Sequence, residues 1–397
     1  MSPAAPAPLG GVLNVDKPAG WTSHDVVARV RRLAGLRQVG HAGTLDPMAT
    51  GVLVLCLGRA TRLLEFITGQ PKSYLAEVTL GVVTDTYDAE GEVVSRFGWA
   101  RDWKSLADST KPPQRLGMEM ESQGSDWESL ADSTKPPQRL GMEMESQGSD
   151  WESLADSTKP PQRLGMEMES QGSDWESLAD STKPPQRLGV GEEAPVVSVA
   201  QVERALDAFR GAIMQRPPAF SALKRDGVPL YQRARAGEAV EVEPRPVMVY
   251  ELTLLHLEGA TLRLHVRCGA GVYVRSIAHD LGQALGCGAH LSALRRTAVG
   301  PFVAAEAVTL EHLAEAGALA AALQPADAAV AHLPAIAMSA AEASRLLHGQ
   351  AVAAATPVQS GPARAYGPDG RFLGIVAGDE RGRAWRPSKM LADQEMT

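Results

Sequence analysis

Short apolar and alternating runs dominate the chain and predict a structure rich in strands. Residues 51–57 (GVLVLCL) are continuously apolar, which is typical of a strand buried on both faces. Residues 11–15, 74–81 and 247–257 also have strand-like patterns. In residues 261–268 (TLRLHVRC) apolar and basic side chains alternate, so one face should join a core and the other should be basic.

Helical spacing is confined to shorter segments. Apolar residues at positions 26, 27, 30 and 33 share one face of a helix that Ser23 can cap and Gly35 can end. A second helix is predicted from a cap at Ser198 to residue 209, and a third over residues 272–285.

The pattern changes near Pro334. The alanine-rich residues 304–333 predict helix and connector, whereas residues 334–397 predict a helix over 340–347 followed by short strands between glycine-rich turns. The chain is therefore interpreted as a flexible N-terminus of residues 1–10, a larger domain of residues 11–333 and a small β-rich domain of residues 334–397.

A tandem repeat interrupts the larger domain at residues 102–189. The dipeptide Asp-Trp recurs every 24 residues within a nearly identical unit, DWESLADSTKPPQRLGMEMESQGS. Solenoid repeats have such periods. Each unit, however, has few apolar residues and a Pro-Pro pair, so burial would not offset the entropy lost on ordering. We expect a flexible acidic surface insertion, with an acidic docking segment as the functional alternative.

The repeat also accounts for the net charge. The 397 residues contain 39 Lys and Arg against 47 Asp and Glu, a net of −8, and residues 102–189 hold 9 basic and 17 acidic side chains. The rest of the chain is neutral, so nucleic-acid binding must be judged from local basic patches. Three separated cysteines argue against a disulfide scaffold and a cysteine zinc site. With neither a signal-peptide pattern nor a long apolar run, the sequence predicts a cytoplasmic protein without a membrane span.

Residues 40–51 (GHAGTLDPMATG) are the densest candidate for chemistry. Glycines, a proline and a Thr-Gly pair surround one acid, Asp46, just before the buried strand. Such a loop would present the carboxylate on a stiff backbone, although an isolated Asp-Pro pair can simply form a turn. His41 has no second histidine at ligand spacing, so no metal site is predicted.

Seven motifs in family order, this loop among them, resemble the bacterial tRNA pseudouridine synthase B family. The others are residues 11–20 (GVLNVDKPAG), 72–74 (KSY), 84–91 (TDTYDAEG), 220–224 (FSALK), 271–276 (GVYVRS) with 280–282 (DLG), and 286–296 (GCGAHLSALRR). The resemblance covers residues 10–100 and 194–397. The chain departs from the family pattern at the repeat, which enters after residue 94 where the family has a short connection.

The resemblance implies isomerisation of uridine 55 to pseudouridine in the T-arm of tRNA. It implies an α+β catalytic domain on a mainly antiparallel mixed sheet with flanking helices, and a small C-terminal β-barrel-like PUA domain that reaches the acceptor stem. It also implies a monomer with no cofactor and no obligate protein partner. The buried base must be flipped out of the RNA. Attack at C1′, attack at uracil C6 and a glycal route all stay open.

The resemblance also assigns the two catalytic roles. Asp46 corresponds to the nucleophile, and Arg275 to the cation that favours its ionised form. Taken alone, Arg275 could equally be a surface arginine on a helix.

Five further residues correspond to the substrate pocket. Tyr74 corresponds to the residue stacked on the flipped uracil, and Tyr273 and Leu294 to the pocket walls. His41 corresponds to the side chain that fills the space left by the base, and Lys17 to a brace for the motif loop. Each residue alone would fit an ordinary structural role in a sheet, core or loop.

Basic clusters could together form a surface that follows the RNA phosphates, or each could be a solvated face. They comprise Arg29, Arg31, Arg32, Arg37, Lys224, Arg225, Arg233, Arg235, Arg295 and Arg296. Residues 220–237 resemble the mobile thumb of the family. The alternatives are a non-catalytic tRNA-binding or tRNA-folding protein and a guide-RNA-dependent synthase. The intact Asp46 loop favours an enzyme, and the thumb-like segment favours the stand-alone type.

Overall fold

The computed structural model describes residues 10–97, 197–221, 242–354 and 361–391, and the backbone of two short strands within 222–241. The repeat at 102–189 and residues 1–9 lie outside the described residues, as do most of the thumb-like residues.

Strands make up most of the regular structure. In chain order they are β1 Gly11–Lys17, β2 Val39–His41, β3 Thr50–Leu57, β4 Lys72–Leu80, β5 Val82–Thr84, β6 Val93–Arg96, β7 Gly211–Gln215, β8 Lys224–Arg225, β9 Val228–Pro229, β10 Arg245–Glu258, β11 Thr261–Cys268, β12 Ala289–Val299, β13 Phe302–Val303, β14 Ala335–Ala337, β15 Val352–Ala353, β16 Pro362–Tyr366, β17 Phe372–Gly378 and β18 Ala384–Met390. The α-helices are α1 Ser23–Ala34, α2 Leu64–Thr68, α3 Val199–Leu206, α4 Val274–Ala284, α5 Ala318–Ala322 and α6 Ala340–Leu347.

A mixed, mainly antiparallel sheet forms the centre of the larger part. Its order is β1-β3-β12-β4-β11-β10-β7, with β2 beside β3 and β13 beside β12. Only the pairing of β12 with β3 is parallel among these described pairs, through Arg295 opposite Thr50 and Arg296 opposite Gly51. The α+β class and the mainly antiparallel mixed sheet predicted from the sequence are confirmed.

The core follows the hydrophobic pattern of the strands. Every residue of β3 after Thr50 is buried, as predicted for a strand covered on both faces. In β11 the apolar residues Leu262, Leu264 and Val266 are buried, and they pack with helices α3 and α4 on one side of the sheet. Helix α1 packs on the other side against alternate residues of β1 and β3.

The N-terminal cap of helix α1 lies one residue earlier than predicted. The cap is Thr22, which forms a reciprocal capping box with Asp25, and the helix ends at Gly35 in the left-handed conformation. Ser23 is buried instead, where its hydroxyl accepts from the backbone N–H of Leu45 (2.8 Å) and donates to the Leu45 carbonyl (3.1 Å). The predicted cap was wrong because this hydroxyl is used by the Asp46 loop.

Residues 304–333 are less helical than their alanine content predicted. They contain 3₁₀ turns and only the five-residue helix α5. The reason is the free edge of β1: Val12 donates to the carbonyl of Gln324, and Asp16 donates to that of Val308, both at 2.9 Å. This segment covers an edge strand and gives up helical hydrogen bonds to do so.

A second sheet follows Pro334, as the sequence predicted. Its order is β14-β16-β17-β18-β15, and helix α6 covers one side. Ile375 and Leu391 of this part share a core with Val12 and Val52 of the central sheet. No helix in the described ranges is both long enough and apolar enough to cross a membrane.

Candidate active site

The loop that carries Asp46 is fastened at several points between β2 and β3. The carbonyl of Pro47 accepts from the backbone N–H of Gly20 (2.9 Å) and from Lys17 Nζ (3.1 Å). Ser23 holds the backbone of Leu45 from the other side. At the end of the loop, a Cβ at Gly51 would collide with the carbonyl of Arg296, so this close strand contact requires glycine. The loop thus presents Asp46 on a fixed backbone.

Arg275, in the first turn of α4, forms an ion pair with Asp46. Its Nη2 lies 3.0 Å from Asp46 Oδ1. The Arg275 side chain is 6% exposed and that of Asp46 32%, so the carboxylate keeps a face that a substrate can reach. Burial raises the pKa of Asp46 above its ordinary value, and Arg275 opposes this rise by stabilising the charged form.

A second carboxylate, Asp88, shares the same guanidinium. Its Oδ2 lies 3.2 Å from Arg275 Nη1, and its side chain is only 4% exposed. Asp88 also accepts from the Thr86 hydroxyl (2.6 Å) and from the backbone N–H of Glu90 (3.1 Å). Its negative charge adds to the rise in the pKa of Asp46. Sequence reasoning assigned Asp88 no role, although residues 84–91 (TDTYDAEG) had been singled out as a motif.

Tyr74 and Leu294 lie in the core directly beneath the loop. They are 7% and 6% exposed and share one apolar cluster with Leu45 and Ala49. Burial raises the pKa of the Tyr74 hydroxyl, and the nearby positive charge of Arg296 opposes this rise. These positions place both residues next to the Asp46 loop.

His41 and Lys17 lie at the Asp46 loop, and Tyr273 precedes Arg275 by two residues. Tyr273 is half-buried just before α4, where its backbone exchanges two hydrogen bonds with the Gln215 side chain. His41, on β2, is half-buried, and burial lowers its pKa. Lys17 is fully buried, and burial lowers its pKa to about 8 against the opposing charges of Glu90 and Asp46.

Arg295 and Arg296 are not part of a phosphate-binding surface, and that expectation was wrong. Both are buried, because β12 is an interior strand of the central sheet. Arg295 makes two bonds to the carboxylate of Asp16 (3.1 and 2.9 Å). Arg296 donates to the carbonyls of Val52 (2.7 Å) and Gly43 (3.0 Å), and thereby holds the Asp46 loop.

The other basic clusters have mixed placements. On α1 and its exit, Arg32 and Arg37 are exposed, whereas Arg31 is half-buried and donates to the carbonyl of Val39 (2.9 Å). The side chains of Lys224, Arg225, Arg233 and Arg235 lie outside the described residues. Over the part of the chain that the structure describes, no group of three or more His, Cys, Asp or Glu side chains is arranged to hold a metal ion.

Comparisons with known proteins match nearly the whole chain. Residues 31–110 and 178–274 match the model of the TruB family pseudouridylate synthase N-terminal domain. Residues 275–331 match the tRNA pseudouridylate synthase B C-terminal domain, and residues 333–392 match the C-terminal model of tRNA pseudouridine synthase II. Residues 111–177, all within the repeat, lie outside these matched ranges.

Curated relatives and solved structures agree with these matches. The chain is 36% identical to tRNA pseudouridine synthase B of Stutzerimonas stutzeri, over 94% of this chain and 93% of the relative. It is also 36% identical to tRNA pseudouridine synthase B of Thermobifida fusca, over 92% of this chain and 94% of the relative. A solved Cbf5-Nop10-Gar1 complex contains a chain with a similar fold, at a TM-score of 0.58 and 22% identity, covering 97% of this chain and 86% of that one.

Proposed function

Since the chain belongs to the TruB family of pseudouridylate synthases, we propose that it converts uridine 55 of tRNA to pseudouridine with Asp46 as the nucleophile. The reaction, formation of pseudouridine, is that of the family. The tRNA substrate is the one named for relatives that are 34–37% identical to this chain. The exact nucleotide in the T-arm and the roles of individual residues belong to the proposal.

The ion pair between Asp46 and Arg275 is the observation that carries the proposal. A carboxylate nucleophile must be ionised, yet burial raises its pKa. Arg275 Nη2, at 3.0 Å from Asp46 Oδ1, favours the charged form and leaves part of the carboxylate accessible. A charged acid held on a fixed loop can attack an electrophilic carbon of the uridine.

The reaction is an isomerisation without net redox change. The C1′–N1 bond breaks, the uracil turns, and a C5–C1′ bond forms; C5 loses its proton and N1 gains one. Attack of Asp46 on C1′ or on uracil C6, and a glycal route, all satisfy this balance. Extrusion of the base from folded RNA costs a few kcal/mol. We assign Tyr74, Tyr273 and Leu294 to the pocket that receives it, and His41 to the space it leaves.

The proposal extends to the domains and the partner. Residues 11–333 form the catalytic domain around the insertion at 102–189, and residues 334–397 form a PUA-like domain that contacts the acceptor stem of tRNA. The family models support this division, since their boundary falls between residues 331 and 333. We propose that a monomer acts without a cofactor and without an obligate protein partner.

The deciding experiment combines the purified protein with an unmodified tRNA transcript and maps pseudouridine by position. We expect product at position 55 and none when that uridine is replaced by cytidine. Asp46→Asn should form no product while tRNA affinity is kept, because an amide is a poor nucleophile. Asp369→Asn, the same change in an exposed turn of the C-terminal sheet, is the matched control.

Two other outcomes would refute the proposal. Tight tRNA binding without product from the parent protein would indicate a binding or folding role. Product that requires an added guide RNA and partner proteins would indicate a guide-dependent synthase.

A further inference from the structure

The turn that carries Asp88 contains a strained residue, Tyr87. Its φ is 65°, and it is the single non-glycine residue with a positive φ in the described ranges. A side chain disfavours this left-handed backbone, so the surrounding contacts must stabilise it. Such residues are concentrated at functional sites, where neighbouring structure enforces them.

The two neighbours of Tyr87 both bind one nitrogen of Arg275. The Thr86 carbonyl and Asp88 Oδ2 each lie 3.2 Å from Arg275 Nη1. The other nitrogen, Nη2, donates to Asp46 and to the carbonyl of Phe220 (3.1 Å). A change in the backbone of Tyr87 would therefore move both ligands of Nη1 and rotate the guanidinium that faces Asp46.

The Tyr87 ring attaches this turn to helix α4 at a second point. It stacks on the His279 ring, with the centroids 3.8 Å apart and the planes at 25°. His279 follows Arg275 by four residues on α4, so the two side chains leave the same face one turn apart. The carbonyl of Tyr87 also accepts from the backbone N–H of Leu291 on β12 (2.9 Å).

We propose that Tyr87 is a positioning residue for the reaction: its ring, stacked on His279, holds the Thr86–Asp88 turn so that Arg275 stays aligned with Asp46. Tyr87 acts through Arg275 and not on the substrate. This inference rests on the proposed isomerisation and adds a third contact between the turn and α4, beside the Thr86 and Asp88 bonds to Arg275. In this left-handed conformation the Tyr87 ring reaches His279 while the Thr86 carbonyl and the Asp88 carboxylate reach Arg275.

Three single variants distinguish the contribution of the Tyr87 ring from that of the Tyr87 backbone. Tyr87→Asn keeps a residue that tolerates the left-handed region and removes the ring. We expect kcat at saturating tRNA to fall on the order of tenfold or more, as misplacement of catalytic groups does, with KM and melting temperature nearly unchanged. Tyr87→Phe retains the stack and should turn over like the parent. His279→Ala removes the other ring and should reproduce the fall in kcat.

A double variant tests whether the two rings act as one unit. Tyr87→Asn with His279→Ala should be no slower than either single variant, since each already removes the stack. Parent-like kcat in Tyr87→Asn, or a loss confined to KM, would overturn the proposal. If Tyr87→Asn does not fold, His279→Ala decides, because it leaves the turn unchanged and parent-like kcat there also overturns it. An inactive parent protein would contradict the proposed function itself, and that result is obtained before any variant is measured.

Discussion

Replacing Lys17, which braces the Asp46 loop, by methionine would separate its effect on the stability of the protein from its effect on turnover. Burial lowers the pKa of Lys17 from 10.5 to about 8, which corresponds to ~3 kcal/mol of destabilisation by the charged ammonium at neutral pH. Methionine has a similar length and no charge, but it removes the two hydrogen bonds that Lys17 Nζ donates to the carbonyls of Pro18 and Pro47, at a cost of ~1 kcal/mol each. We therefore expect Lys17→Met to be more stable than the parent by ~1 kcal/mol at pH 7.

The sign of this difference should reverse at high pH. The unfolded chain keeps the Lys17 proton up to a pKa of about 10.5, whereas the folded protein releases it near pH 8. Between these values the unfolded state binds more protons, so the free energy of unfolding of the parent rises with pH. Lys17→Met lacks this gain. By pH 10 the variant should be less stable than the parent by ~2 kcal/mol, the value of the two lost hydrogen bonds.

The assay is urea unfolding of both proteins at pH 7, 8, 9 and 10, together with kcat at pH 7.5. Lys72, whose pKa burial also lowers to about 8, is present in both proteins and cancels in the difference. We expect kcat to fall, because Pro47 loses the Nζ that holds the Asp46 loop. A stability difference that does not change with pH, or a variant several kcal/mol less stable at pH 7, would refute the reasoning.

Three further predictions concern the ion-pair network and the repeat. Arg275→Met should lower kcat/KM about a hundredfold or more, because Asp46 loses the cation that favours its charged form. It should also lower stability by about 3 kcal/mol, because Asp88 stays buried without its cation. Adding Asp88→Asn to this variant should restore stability in thermal unfolding but not activity. Asp88→Asn alone should move the acid limb of the kcat/KM profile to lower pH, since Asp88 raises the pKa of Asp46, and an unmoved or higher limb would contradict that cause. Deletion of residues 102–189 should leave melting temperature and activity nearly unchanged. It should strengthen tRNA binding at low salt, because it removes the net charge of −8. A deletion protein that fails to fold would show that the repeat belongs to the core.

The hydrophobic pattern of the sequence was enough to predict those strands in which the buried faces determine the order of apolar and polar residues. The apolar run of β3 and the alternation in β11 predicted both strands, because each pattern reports which faces are covered. The change at Pro334 likewise located the second sheet. Family resemblance, more than periodicity, brought Asp46 and Arg275 together across 229 residues of sequence.

The predictions that were wrong or absent share one physical cause: each of these side chains binds a residue that is distant in the sequence. Ser23 has the chemistry of a helix cap, but the backbone of Leu45 binds its hydroxyl. Arg295 and Arg296 have the charge of an RNA-binding pair, but Asp16 and three carbonyls of the loop region and β3 accept their hydrogen bonds. Asp88 shows its role only when Arg275 folds against it. Residue type gives no sign of such partners until the chain is folded.

The order of strands in the central sheet has a consequence for synthesis on the ribosome. β3 lies between β1 and β12, so its second neighbour emerges only with residues 289–299. The 88 residues from 102 to 189 stand between the two, and at about 5–20 residues per second they add roughly 4–18 s to the interval. Throughout that time β3, an apolar strand that is covered on both faces in the folded protein, can pair only with β1 and β2. The repeat therefore lengthens the period during which the nascent chain needs protection from aggregation, even if it does nothing to the finished enzyme.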